Sequence, residues 1–526
     1  MTDRSLKPYS TIMPDTGLSA GDLLVHALSY DLERPVVQFS DTGRIITARQ
    51  FRDVVSQYAQ ALNSLHLAKG TRVGLLSRNR PEVLFVSGAF PFAEVIPLPM
   101  HPMGSLDDLA YVVEDAHVEA LIFDPDYYQD QARALAARLP HLVHLLALGP
   151  ADTGTDLAIL AASFAPGPLL PLRHAPEDII RLGYSGGTTG KPKGIMASAR
   201  NASTMLQILL SEWEWPAEVR QLICSPLSHG GGAMFMPTMV KRGSMVVLPG
   251  FEPGAVLAAI EKYRITCVLL VPTMIYALLD HPKFNDYDLS SLEVVYYGAS
   301  SMSPARLKEA IEKIGPVFFQ FYGQAEAPMT VSVLKRAEHV AAGANRLASC
   351  GRPVPWVRVA LLNDDLQPVA DGEPGEICVQ GPLMMSGYLN KPEQTAEVFA
   401  GGWLHTGDVA VRDPDGYLHI VDRKKDMIVT GGFNVYPREV EDVLSAHPAV
   451  AAAAVIGVPD PKWGEAVKAI IVLRAGSSVS EEVLVKLVRD KKGPVQAPKS
   501  VVFVDKIPVS GLGKPDKKAL RAQYCG

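Results

Sequence analysis

Behind Thr47 the apolar positions Phe51, Val54, Val55, Tyr58, Ala61, Leu62 and Leu65 return every three or four residues, the spacing of a helix that buries one face. Thr47 and Gln50 form a capping-box pattern at its start, and Lys69-Gly70 marks its end. The apolar run RVGLLS then predicts a short buried strand, and PEVLFVSGAF, which opens on proline, predicts a second helix. The alternation returns twice: MVVLPG, AVLAAIEKY and TCVLLV, then LEVVYYG, PARLKEAIEKIG and VFFQFYG. Such alternation predicts an α/β protein with open, largely parallel sheets flanked by helices, and with ligands gathered at loops beyond the strand ends.

From about Gly351 the pattern shortens to VRVALLN, GEICVQG and DGYLHIVD, which predicts a small barrel-like or antiparallel β subdomain. It changes again after the charged run Asp422-Arg423-Lys424-Lys425-Asp426. Pro437 opens a helical pattern, AAAAVIGV and AVKAIIVL read as strands, and SEEVLVKLVRD reads as a helix. The expected organisation is a large N-terminal domain over 1–422 and a small mobile α+β domain over 423–526.

Composition narrows the class of partner. The 526 residues carry a formal net charge of −6, so no electrostatic case exists for nucleic acid or an anionic membrane surface. The five cysteines (Cys224, Cys267, Cys350, Cys378, Cys525) are odd in number, far apart and without zinc spacing, which fits a reducing, cytoplasmic compartment. The polar, proline-broken start MTDRSLKPYSTIMPDTG reads as neither leader nor anchor, and the apolar run from Cys267 is cut by Pro272. A small-molecule partner is expected.

Candidate chemistry begins at Leu182–Met196, LGYSGGTTGKPKGIM. Five glycines permit close backbone approach, so amide N–H groups, hydroxyls and lysines can surround phosphate oxygens. The segment is not a Walker A loop: Ser185 stands where the first glycine belongs, and Pro192 where the hydroxyl that binds Mg²⁺ belongs. Pro192 also disfavours helical geometry at Lys191. The same Ser185 breaks a GxGxxG pattern.

Taken with FYGQAEAP (Phe321 to Pro328), GWLHTGD (Gly402 to Asp408), DRKKDMIVTGGFNVYPREVE (Asp422 to Glu441) and PVSGLGKPDKKALR (Pro508 to Arg521), the loop resembles, in order and spacing, the ANL superfamily of adenylate-forming enzymes. That superfamily includes acyl-CoA synthetases, peptide-synthetase adenylation domains and firefly luciferase. The resemblance spans nearly the whole chain and implies a two-step reaction. ATP and a carboxylate give an acyl-adenylate and pyrophosphate, and a thiol then displaces AMP.

The resemblance also implies roles. Lys514 matches the catalytic lysine, whose charge serves where carboxylate and α-phosphate repel one another. Glu326 matches the Mg²⁺-associated acid, with Thr188 beside it. Ser185, Gly186, Gly187, Thr188, Thr189, Gly190 and Lys193 would hold the phosphates. Gly298-Ala299-Ser300, Tyr322, Gly323 and Gln324 would frame the adenine, and Asp408 and Arg423 the ribose. Lys425 occupies the hinge position, needed because the lysine and an incoming thiol cannot share one space. PDPKWGE resembles the CoA-ligase branch, in which Trp463 would meet the nucleotide end of coenzyme A, and Gly431-Gly432 would line the pantetheine tunnel. Gly186, where the family has serine, and Ala325, where it has threonine, each remove a hydroxyl donor to nucleotide.

The segment SPLSHGGGAMF matches the loop bordering the acyl pocket, with His229 near the carboxylate. Gly230, Gly231 and Gly232 would leave that wall open, and Tyr296, Tyr297 and Met329 would complete an apolar, partly aromatic pocket. No arginine stands out in the sequence as a partner for a second carboxylate. A hydrophobic monocarboxylic acid, fatty or aryl, is expected, with ATP, Mg²⁺ and coenzyme A. The oligomeric state stays open, a homodimer among the options. The competing readings are adenylation followed by loading of a carrier protein, oxygen as acceptor in the luciferase manner, a phosphate-loop ATPase or kinase, and a nucleotide-binding relative without turnover.

Overall fold

The computed structural model describes residues 19–40, 42–184, 191–340, 344–424, 426–430, 433–509 and 515–525. Helix Ala48–Ser64 begins where the capping box places it: the Gln50 amide donates to the Thr47 hydroxyl at 3.3 Å, and the Thr47 amide to Gln50 Oε1 at 3.0 Å. Its buried face, including Phe51, Val55, Tyr58 and Leu62, is the predicted stripe.

The alternating segments form two sheets. A five-stranded sheet is built round Thr71–Leu76, with parallel neighbours Val95–Pro99 and Val118–Phe123. In a nine-stranded sheet, Arg220–Ile223, Ser244–Val247, Cys267–Leu270, Val294–Gly298 and Phe318–Tyr322 run parallel. Helices Pro253–Tyr263 and Pro304–Ile314 lie between successive strands in sequence. Both faces of the large sheet are covered, and each buried side chain contributes on the order of 1.5–3 kcal/mol. On one face Tyr296 stacks beside Trp213 with ring centroids 4.7 Å apart, and Trp213 Nε1 donates to Thr330 Oγ1 at 2.9 Å.

A third sheet positions the glycine-rich segment. Ile179–Tyr184 pairs antiparallel with Gly194–Ser198, so the chain leaves and re-enters through two strands. A Walker A loop leads from strand to helix; this segment returns to strand, consistent with the effect of Pro192. Ser185 to Gly190 themselves lie outside the described residues.

The short-strand region is a four-stranded antiparallel sheet of Arg358–Leu362, Gly375–Gln380, Leu404–Arg412 and Leu418–Arg423. Beyond it, helix Pro437–Ser445 buries Val440, Val443 and Leu444 against the hairpin of Val450–Asp460 and Gly464–Leu473. Helices Glu481–Lys492 and Lys517–Tyr524 complete this α+β unit. At its junction with the preceding sheet the Arg438 amide donates to Asp422 Oδ2 at 3.0 Å, while beyond that sheet Lys517 pairs with Glu441 at 2.9 Å and Arg521 with Asp426 at 3.0 Å. All five cysteines are free. Among the described residues, no helix is long and apolar enough to cross a membrane.

Candidate nucleotide and acyl site

Two strand ends converge on Asp408. Tyr322 closes strand Phe318–Tyr322, while Asp408 lies directly opposite Arg423 in the antiparallel ladder of Leu404–Arg412 and Leu418–Arg423. The buried Asp408 carboxylate accepts from the Tyr322 hydroxyl at 2.7 Å and from Gln324 Nε2 at 2.7 Å, both at Oδ2. Its Oδ1 pairs with Arg423 Nε at 3.1 Å. The turn before it is pinned: the Gly407 amide donates to Glu376 Oε1 at 2.9 Å, and the Asp408 amide to Thr406 Oγ1 at 3.1 Å.

Electrostatics follows this geometry. Burial and then the Asp408 charge push the Tyr322 phenol well above its ordinary value, so it stays a donor. Burial alone would lower the Arg423 guanidinium, but Asp408 and nearby groups outweigh it and raise it. The four side chains form one satisfied network, leaving part of the carboxylate's acceptor capacity for hydroxyls of a ligand.

The predicted base-side backbone is tightly set. A Cβ on Gly298 would lie 2.3 Å from the Phe321 carbonyl oxygen, and one on Gly323 would lie 2.6 Å from the Met329 carbonyl carbon. Ala299 follows at φ 64°, a strained left-handed conformation for a non-glycine residue next to a candidate ligand site.

Glu326 is held by a residue that sequence reasoning missed. Tyr388 donates to Glu326 Oε1 at 2.9 Å, and Lys193 Nζ lies 4.6 Å from the centre of the Tyr388 ring. Nothing in the periodicity of GYLN marks that tyrosine. Glu326 Oε2 makes no hydrogen bond or ion pair among the described residues, and a hard carboxylate oxygen of this kind fits a magnesium ion. Thr188, the other expected ligand, lies outside the described residues, as do Lys514, Lys425, Gly431 and Gly432.

His229 Nδ1 lies 2.8 Å from the Ser228 hydroxyl, and its ring meets His101 edge-on with centroids 4.8 Å apart. Burial first, then the charges of His101 and Arg181, push the His229 imidazole down to about 4. It is therefore neutral near pH 7. Gly231 and Gly232 serve the turn rather than an open wall, because a Cβ would sit 2.5 Å from the Ser225 oxygen and 2.1 Å from the Leu227 oxygen. Gly230 has more room, its nearest neighbour being Leu269 Cδ2 at 3.3 Å.

Tyr297 requires a correction. Adjacent strand residues point to opposite faces, and Tyr296 shares its face with Leu269, close to Gly230. Tyr297 is fully buried on the other face, with its hydroxyl 2.8 Å from His339 Nε2, so the structure does not bring it to the His229 wall. Met329 packs against the same core cluster as Tyr296. Trp463 is 41% exposed, with Lys462 and Lys499 over its ring at 4.9 and 5.9 Å, a surface position rather than a core one.

With this geometry established, known families can be compared. The AMP-binding enzyme model matches residues 25–389, and the AMP-binding enzyme C-terminal domain model matches residues 439–514. The chain belongs to the AMP-binding enzyme family. This AMP-binding enzyme is 50% identical over 517 residues to the medium/long-chain-fatty-acid–CoA ligase FadD8 of Mycobacterium tuberculosis, covering 96% of this chain and 90% of that protein. It is 37% identical to the feruloyl-CoA synthase of an Amycolatopsis species, over 92% of this chain and 94% of that one. Among solved structures, ATP-bound MatB of Rhodopseudomonas palustris superposes with a TM-score of 0.87 at 28% identity, covering 96% of this chain and 99% of that chain. The apo form of MatB has the same identity and coverage but a TM-score of 0.78.

Proposed function

We propose that this AMP-binding enzyme is an ATP-dependent carboxylic acid:CoA ligase forming AMP, acting on medium- to long-chain fatty acids. The observation that carries the nucleotide half is the Asp408 network, in which a buried carboxylate is oriented by Tyr322, Gln324 and Arg423. The half-identical fatty-acid ligase, matched over nearly all of both chains, supports the acid class. Exposed Trp463, flanked by two lysines, supports coenzyme A as the thiol, since an aromatic face and cations suit a nucleotide phosphate.

The residues divide the work. Asp408 and Arg423 would orient the ribose, and Tyr322 would pack on the base. Lys514 would neutralise the meeting of carboxylate and α-phosphate as the acyl-oxygen bond to phosphorus forms and pyrophosphate leaves. Glu326, steadied by Tyr388, would hold Mg²⁺, which supplies charge stabilisation at the polyphosphate. The thiol sulfur then attacks the acyl carbonyl and AMP departs. Two forms of one relative that fit this chain differently at equal identity support a movable domain arrangement, with Lys425 at the pivot.

An aryl-acid specificity is the second reading, favoured by the feruloyl-CoA synthase similarity. A pyrophosphate-release assay with C8 to C18 fatty acids, benzoate and ferulate, with products identified by mass spectrometry, tests both. Acyl-CoA and AMP from the fatty acids are expected. Release of ADP, or turnover with a carrier protein but not with coenzyme A, would overturn the proposal.

A further inference from the structure

Strand Ile179–Tyr184 is apolar up to the glycine-rich segment except at one position. Arg181 pairs with Ala197, and Gly183 with Ile195, across the antiparallel ladder. Side chains of paired residues share a face, so Arg181 lies on the Ile195 side, the side of the core cluster that holds Leu227, Met234, Phe235 and Leu269. Leu182 faces the other way, into a separate cluster with Met196 alongside. Arg181 therefore lies on the side of its sheet that faces the core cluster flanking the His229 loop, and its charge is felt at His229.

No ion pair and no hydrogen bond reaches this guanidinium from the described residues, and no carboxylate among them balances it. Withdrawal from water is the influence acting on it, and it lowers its affinity for its proton. Arg181 nonetheless keeps some solvent contact. It is a half-buried cation with no partner among the described residues. His229 is neutral near pH 7, so it adds no second positive charge, and Arg181 is the fixed cation whose field reaches it. A cation partly withdrawn from water gains from a carboxylate partner, and the planar guanidinium fork is shaped to take one through two parallel hydrogen bonds.

We propose that Arg181 is an acid-binding residue of this enzyme, docking a carboxylate of the substrate acid beside His229. The inference rests on the acid:CoA ligase reading and deepens it. The carboxylate has two possible sources, the reacting group or a second acid at the far end of a dicarboxylic chain, and one experiment separates them.

Arg181→Met and Arg181→Lys are compared with the parent on hexadecanoate and hexadecanedioate by pyrophosphate release. Direct acid binding without ATP is measured by calorimetry, and thermal stability by scanning. Loss of a bidentate charged contact raises the acid KM about tenfold or more, while the ATP KM stays within about twofold. Removing an unpaired charge leaves the melting temperature unchanged or higher. Arg181→Lys keeps the charge without the fork and falls between. An equal loss for both acids assigns the reacting carboxylate; a loss confined to the diacid assigns a distal one. Unchanged acid KM for both substrates, or a lowered melting temperature with no change in acid binding, overturns the proposal. A parent protein that releases pyrophosphate with neither acid sinks the ligase reading instead.

Discussion

Replacing Asp408 with asparagine tests the nucleotide site most directly. The carboxylate receives the Tyr322 hydroxyl and Gln324 Nε2 at 2.7 Å each, and Arg423 Nε at 3.1 Å. A carboxylate offers about four lone-pair directions, so these three donors leave roughly one for a ribose hydroxyl. Asparagine removes the charge and turns one oxygen into an NH₂ group that must face at least one of three donors. A charged hydrogen bond is worth about 1.5–3 kcal/mol, so losing the one to ribose raises the ATP KM by about 10- to 150-fold. The donor-facing-donor contact costs about 1–3 kcal/mol more, visible as a fall of a few degrees in melting temperature. The assay is initial pyrophosphate release against ATP at saturating acid, with Asp408→Glu as a charge-retaining companion. An ATP KM within about twofold of the parent, accompanied by the same thermal loss, would show that Asp408 merely holds Tyr322 and Arg423, and the ribose assignment would fail.

The remaining expectations concern the small domain. Lys514→Ala abolishes acyl-adenylate formation yet leaves thioester formation from supplied acyl-adenylate largely intact; equal losses in the two half-reactions would contradict domain movement. At the junction with the preceding sheet, burial pushes the Asp422 carboxyl up to about 6, against the charge of Lys517 and with that of Glu441. A raised carboxyl is stabilising when protonated, so its contribution is full below its unfolded value and is lost as pH rises through about 6. Melting curves of Asp422→Asn and the parent should therefore diverge in the variant's favour between pH 5 and 7, and a constant gap across that range would refute the assignment.

Much of the architecture was readable because period and capping agree along the chain. Thr47, Gln50 and the stripe from Phe51 onward predicted their helix, and the strand–helix alternation predicted the parallel sheets. The nucleotide network was readable only through motifs, since Tyr322 lies 86 residues before Asp408 and still farther from Arg423, and the three share no local pattern. Tyr297 failed for a simple reason of parity: it adjoins Tyr296, and a strand sends neighbours to opposite faces. Gly231 and Gly232 looked like open wall because sequence does not show which carbonyl presses on a glycine. Sequence reasoning passed over Arg181, because its having no partner among the described residues is a property of three dimensions. Tyr388 acts on Glu326 across 62 residues and left no sequence signal.

The ladder pair Asp408–Arg423 ends two residues before Lys425. On the proposed hinge, a nucleotide held by that carboxylate would also pull on the strand that leads into the small domain. Departure of AMP would slacken the same tether that its arrival tightened, so that emptying the pocket and resetting the enzyme for another turnover would be a single mechanical event.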